Sequence, residues 1–138
     1  MRYLLDTNAV ISLLNEQSGG VARRVRTLLP ADFGMPSVVM HELYFGASKS
    51  LRRERNLAVV DNLRFEVVAF DQEDARHAGD IRAVLAGQGI PIGAYDVLIA
   101  GQARARALTL VTRNVREFQR VAGLLVENWA DAVRVPDR

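Results

Sequence analysis

The chain predicts an α/β fold: three layers, α/β/α, with a parallel sheet of four to five strands at the centre. Three observations carry that expectation. Short apolar runs alternate along the chain with longer stretches of helical periodicity, the pattern of strands joined by helical crossovers. The runs are uninterrupted, as expected of strands buried on both faces of a parallel sheet. The first of them, Tyr3-Leu4-Leu5, passes straight into Asp6-Thr7-Asn8 and then a helix beginning Ala9-Val10-Ile11. An acid therefore stands at the carboxyl edge of the sheet, where open α/β sheets place their ligand crevice.

After the first helix, Asn15 to Gly20 are turn-forming residues. Gly20 to Leu29 reads as a second helix with Val21, Val25, Leu28 and Leu29 on one face, ended by Pro30. Phe33-Gly34-Met35 is a short strand, after which Pro36-Ser37 supply a stop and an N-cap for a helix over Val38 to Ala47. Ser50 to Leu63 predicts a further helix, charged at its start by Arg52, Arg53, Glu54 and Arg55. The run Phe65 to Phe70 is a strand, and Asp71 caps the helix that follows it to about Leu85. Ile90-Pro91-Ile92-Gly93 is a loop whose path proline and glycine fix. A helix opening Tyr95-Asp96-Val97, a strand over Leu108 to Thr112, a short turn of helix around Glu117 and a last strand at Leu124 to Val126 complete the pattern.

With 138 residues, nearly half of them hydrophobic and a quarter charged, the chain suits one soluble domain, expected over 1–133 with a C-terminal tail at 134–138. The absence of cysteine excludes disulfides, thiolate metal sites and cysteine nucleophiles. The acid at position 6 interrupts any signal-peptide h-region, and no apolar run is long enough to span a bilayer, so a cytoplasmic protein is expected. Formal charge is only +2, yet every basic residue except Lys49 is an arginine, whose planar fork suits phosphate. A GC-rich coding bias gives the same skew.

Three acids break otherwise apolar patterns. Asp6 follows a buried strand. Glu42 has Val38 and Val39 at i−4 and i−3 and Phe45 at i+3, which puts a carboxylate on the apolar face of its helix. Asp96 shares a face with Ile99, Ala100 and Ala103. Each has an ordinary explanation: a helix cap for Asp6, a salt bridge for Glu42, a favourable helix dipole for Asp96. A shared crevice explains all three with one cause. Carboxylates brought together repel and hold their protons, and a hard divalent ion with oxygen ligands, Mg²⁺ or Mn²⁺, relieves that repulsion. Such a site activates water against a phosphodiester. The chain has no serine in a nucleophile elbow, no phosphate loop and no GxGxxG, and His41-Glu42 lacks the second histidine of a zincin helix. His77 shares a helix with Asp74 and Asp80, a weak candidate for a second metal site.

The ordered set Leu4-Leu5-Asp6-Thr7-Asn8, Ser37 to Leu43 with Gly46, Asp96 to Ala100, Leu110-Val111-Thr112-Arg113-Asn114, Arg116-Glu117-Phe118 and Val126-Glu127-Asn128-Trp129 resembles the PIN-domain ribonucleases, in their VapC-type toxin branch. The resemblance covers nearly the whole chain. It implies a metal-dependent endonuclease acting on RNA, the toxin of a type II toxin–antitoxin pair, neutralised by a cognate antitoxin. It also implies a homodimer, with a heterotetramer or larger assembly in the antitoxin complex. On the family's pattern Asp6, Glu42 and Asp96 fall on the acidic positions, Asp6 and Asp96 as metal ligands, with Thr7, Asn8 and Thr112 in support. Many members carry a fourth acid where this chain has Asn114, so either Glu117 serves or Asn114 acts as a neutral ligand. Arg113, Arg116 and Arg120 lie at helical spacing and are candidates to hold RNA phosphates. Ile11, Leu14, Val21 and Phe45 are candidates for a groove that takes an antitoxin helix.

Other readings of a sheet edge lined with acids fit less well. A receiver-type phosphate-signalling domain wants paired acids after the first strand and a late lysine, but Thr7-Asn8 follow Asp6 and no lysine follows Lys49. An aspartyl-phosphate phosphatase wants a second Asp where Asn8 stands. A catalytically silent PIN-like binding module would not need the acids that are kept here.

Overall fold

The computed structural model describes residues 1–130; the expected domain end at 133 and the tail 134–138 lie outside them. The strands are β1 (Tyr3–Leu5), β2 (Phe33–Pro36), β3 (Glu66–Val68), β4 (Thr109–Val111) and β5 (Leu125–Glu127). They form one sheet in the order β3-β2-β1-β4-β5, with every pairing parallel. Between them lie α1 (Thr7–Asn15), α2 (Gly20–Val25), α3 (Ser37–Ser48), α4 (Arg53–Asp61), α5 (Gln72–Gly87), α6 (Ala94–Ala105) and the single turn α7 (Val115–Phe118).

β1 occupies the middle because it is wholly apolar and covered on both faces: Leu4 and Leu5 have no solvent exposure. The chain moves outward from β1 through β2 to β3, then crosses back past β1 to β4 and β5. With right-handed crossovers this reversal sends the helices before and after β3 to opposite faces, giving the expected three layers. It also makes β1 the switch point, where the crevice of a parallel sheet opens beyond the strand ends. Asp6 follows β1 there and Thr112 follows its neighbour β4.

α5 and α6 pack closely because Gly101 faces Ala78: a Cβ built on Gly101 would come within 2.6 Å of the Ala78 backbone nitrogen. Where β3 hands over to these helices, a buried polar knot fixes their register. Gln102, fully buried, donates through Nε2 to the carbonyls of Val68 (3.1 Å) and Ala69 (3.0 Å) and to Asp74 Oδ2 (3.2 Å). Asp74, also buried, accepts from Arg106 at 2.9 and 3.1 Å and completes a capping box with Asp71. Gln102 Oε1 has no partner among the described residues.

Several element ends differ from the sequence expectation. α2 stops at Val25, and Leu29 is 69% exposed rather than on a buried face. Pro30 accounts for Leu29, because its ring forces the preceding residue extended, and Leu29 has φ −85° and ψ 151°. Ser37 is not an N-cap but the first residue of α3; Pro36 occupies the cap position, without a side-chain bond. The helix expected over Ser50 to Leu63 is trimmed to Arg53–Asp61, and the strand over Phe65 to Phe70 to Glu66–Val68. The Asp71 cap stands where the sequence put it.

Candidate active site

Four carboxylates reach the switch-point crevice from four different elements. Asp6 ends β1 and is 5% exposed. Its Oδ1 accepts from the Ala9 N–H at 2.9 Å, so it does cap α1. Capping does not exhaust it. Burial foremost pushes its carboxyl above the usual range; the Thr112 hydroxyl and the N–H groups of Ala9 and Asn8 pull it down, and the charge of Glu42 raises it further. Thr112 is itself held by accepting the Asn114 N–H at 2.9 Å. Asn8 contributes that backbone group, while the residue as a whole stays exposed.

Glu42 is half-buried on α3 rather than sunk in the core, and no arginine among the described residues pairs with it. Thr7 donates to its Oε1 at 2.6 Å, fixing the carboxylate above the first turn of α1. Asp96 sits in the first turn of α6 behind Gly93, where a side chain would crowd it: a Cβ there would stand 3.1 Å from Asp96 Oδ2. Its carboxyl is pushed up to about 7, by burial first, then by the hydrogen bond and charge of Glu117, then by the charges of Asp6 and Glu42. Asp96 thus feels the charge of all three other acids.

Glu117 and Asn114 are both present, as a pair. Asn114 Nδ2 donates to Glu117 Oε1 at 2.8 Å, and Glu117 bonds Asp96. The alternatives left open by the sequence thus form one chain of contacts, with the amide holding the acid. The arginines are less uniform. Arg113, Arg116 and Arg120 are all exposed, but Arg120 donates to the Pro91 carbonyl at 3.1 Å, in the loop that leads to Asp96. The weak second metal site dissolves into ion pairs: Asp74 binds Arg106, while Arg104 donates to His77 Nδ1 at 2.9 Å and to Asp80 at 2.8 Å.

The donor chemistry of the cluster fits a hard divalent cation. Uncompensated carboxylates drive one another's pKa upward, and a cation reverses that cost. Among the described residues no three acidic or imidazole side chains form a ready-made ligand group.

Beside the acids, α1, α3 and α4 enclose an open groove of about 720 Å³. Ile11, Leu14, Leu43 and Val59 give it an apolar lining, Glu42 closes one part, and Arg52 and Arg55 add cations. Of the residues considered for a groove, Val21 belongs to the core and Phe45 is not part of this lining.

Comparison with known proteins agrees with this geometry. Residues 3–124 match the family model of the PIN domain. The chain is 43% identical to the tRNA(fMet)-specific endonuclease VapC of Shigella flexneri, over 94% of this chain and 99% of that protein. It is 38% identical to the ribonuclease VapC2 of Haemophilus influenzae, over 94% and 98%. Among solved structures it is similar to the DNA-bound VapBC of Salmonella typhimurium, with a TM-score of 0.88, 41% identity, and coverage of 94% of this chain and 98% of that one.

Proposed function

The chain belongs to the PIN domain family, and from that premise we propose that it is the toxin of a type II toxin–antitoxin pair, an endoribonuclease held in check by a cognate antitoxin. The observation that carries the reading is the convergence of Asp6, Glu42, Asp96 and Glu117 in one electrostatically coupled crevice at the switch point of the sheet. Relatives spanning nearly the whole chain are VapC ribonucleases. The relative named for tRNA(fMet) makes that tRNA the first substrate to test.

In this reading Asp6 and Asp96 would hold Mg²⁺ or Mn²⁺, a role supported by their positions at a strand end and a helix start beside the crevice. When bound, the ion supplies Lewis-acid charge against the phosphate and lowers the cost of deprotonating water. The protein's own side chains do the rest. Thr7 fixes Glu42 and Asn114 fixes Glu117, so both carboxylates are oriented before substrate arrives. Glu117 faces Asp96, and its hydrogen bond and charge, after burial, raise the Asp96 carboxyl to about 7, a cost that a bound cation would relieve. Thr112 and the Ala9 N–H hold Asp6 in one rotamer.

The apolar groove beside Glu42 fits an amphipathic antitoxin segment, with the acidic centre offering its carboxylates to that segment's Arg or Lys. Homodimeric assembly and a larger antitoxin complex follow the family. No helix among the described residues is long and apolar enough to cross a membrane, and we place the protein in the cytoplasm. The test is cleavage of defined RNAs by the purified chain with Mg²⁺, with Mn²⁺ and with chelator, alone and with the product of the neighbouring open reading frame. Metal-independent cleavage, or none with any ion, sinks the reading.

A further inference from the structure

We infer that an exposed aromatic strip beside the acidic centre, formed by His41 and Phe45 of α3 and Tyr95 of α6, is a stacking platform for unpaired RNA bases flanking the phosphate that is cut. The inference deepens the ribonuclease reading and rests on it. Phe45 is 59% exposed and Tyr95 49% exposed, unusual for rings with core available on the other side of their helices. α3 packs inward through Val39, Leu43 and Ala47, so Phe45 contributes nothing to the core. His41 immediately precedes Glu42, and Tyr95 immediately precedes Asp96. Their rings meet at 5.4 Å between centroids, tilted by 52°, so this ring pair bridges two of the helices that carry the acids. Phe45 follows His41 by one turn, and Lys49 follows Phe45 by another, with its ammonium 4.7 Å from the Phe45 ring centre.

The chemistry of this strip is that of a single-strand binder. The four carboxylates repel a polyanion, so affinity must come from outside them. Ring faces bind any base through stacking, and cations along the path bind the phosphates. Here the rings lead from the acids to the chain's single lysine, with Arg52 and Arg53 just beyond it in sequence. A two-fold contact through this strip, with each copy's acidic centre against the other's basic turn, is the competing occupant, and sedimentation of the variants tests it.

The experiment uses the full chain carrying Asp6→Asn, which binds without cutting, and a labelled stem–loop RNA. A matched stem–loop has abasic sites throughout its loop. Phe45→Ala and Tyr95→Ala should each weaken binding of the intact loop five- to a hundredfold and leave binding of the abasic loop unchanged. Phe45→Trp should keep the affinity, and its new fluorescence should be quenched by the intact loop only. Unchanged affinity for the intact loop, or equal losses on both probes, refutes the platform. So does a shift from dimer to monomer by sedimentation with RNA affinity retained, which assigns the strip to a second copy. If the unsubstituted chain cuts RNA but the base-dependent losses are missing, the platform falls and the ribonuclease stands. If the losses are present and no cleavage occurs with any ion, the strip stands as an RNA-binding surface and the ribonuclease reading falls.

Discussion

The Asn114 side-chain amide donates to Glu117 Oε1 at 2.8 Å, and through Glu117 it reaches Asp96. The neutral residue at the expected acidic position therefore serves by aiming an acid from the next turn. Glu117→Gln should raise the metal concentration for half-maximal cleavage by roughly tenfold or more, in the range seen when residues that orient a metal site are removed. Adding Asn114→Asp should recover part of it, because the amide introduced at position 117 can donate to the new carboxylate. An unchanged metal requirement in Glu117→Gln would mean that three carboxylates suffice.

Asp6 has two jobs that a pair of substitutions separates. Asp6→Asn keeps an acceptor for the Ala9 N–H, since asparagine caps as well as aspartate, and it removes a buried charge. It should abolish cleavage while leaving stability equal or higher. Asp6→Ala should abolish cleavage and also cost about 1 kcal/mol in denaturant unfolding. Wild-type cleavage by Asp6→Asn would remove Asp6 from the site.

The legibility of the site follows from what disturbs a pattern. Asp6, Glu42 and Asp96 stand out because each interrupts an apolar period, and a period is a property of the local sequence. The Asn114–Glu117 contact leaves no such trace, because it depends on how one short turn aims two polar residues. The knot of Gln102, Asp74 and Arg106 escapes the sequence for a different reason. Its members lie as many as 37 residues from their partners, and a buried glutamine looks ordinary in a helix. The Asp71-x-x-Asp74 capping pattern is its one local signal. Leu28 and Leu29 continue the apolar pattern of α2, but local backbone sterics at Pro30 outrank periodicity at an exposed end.

That knot should dominate stability. Asp74→Ala leaves Arg106 and Gln102 without their acceptor and removes a reciprocal cap. The loss should be about 2–4 kcal/mol, below the range for a fully buried pair because the Arg106 side chain is 32% exposed. Chemical denaturation measures it, and a loss under roughly 0.5 kcal/mol, the scatter of ordinary surface substitutions, would mean the network is incidental. Cleavage at a temperature where the variant stays folded should be unchanged.

Stability should vary with pH in two separate windows. Asp96 has a folded-state pKa of about 7, above the ordinary 3.8, so the folded state holds the proton more tightly than the unfolded chain. Without metal, stability should therefore fall as pH rises from about 4 to about 7, and level off above that. Burial alone would raise Asp74, but the hydrogen bonds and charge of Arg106, with the Asp71 cap, outweigh it and hold the carboxyl below 3.8. Its contribution is complete above that value and is lost as pH falls below it. Asp96→Asn should flatten the slope between about pH 4 and 7 and raise the melting temperature at about pH 8. A metal-free protein equally stable on both sides of the Asp96 window would contradict the coupling.

The arginines after β4 divide by what the fold has already asked of them. Arg113 and Arg116 are exposed, stand on either side of Asn114 in sequence, and have no ion pair among the described residues. Arg120 is spent in part on the Pro91 carbonyl, which ties α7 to the loop before Asp96. Neutral substitution of Arg113 or Arg116 should weaken RNA binding uniformly across sequences. It should also flatten the plot of log affinity against log salt by roughly 0.7 for each phosphate no longer neutralised, the value for single strands. Arg120→Gln should change that slope least and instead loosen the loop that positions Asp96, which shows as a raised metal requirement. If substituting Arg113 and Arg116 together leaves the slope unaltered, the two are solvated surface and the phosphates are held elsewhere.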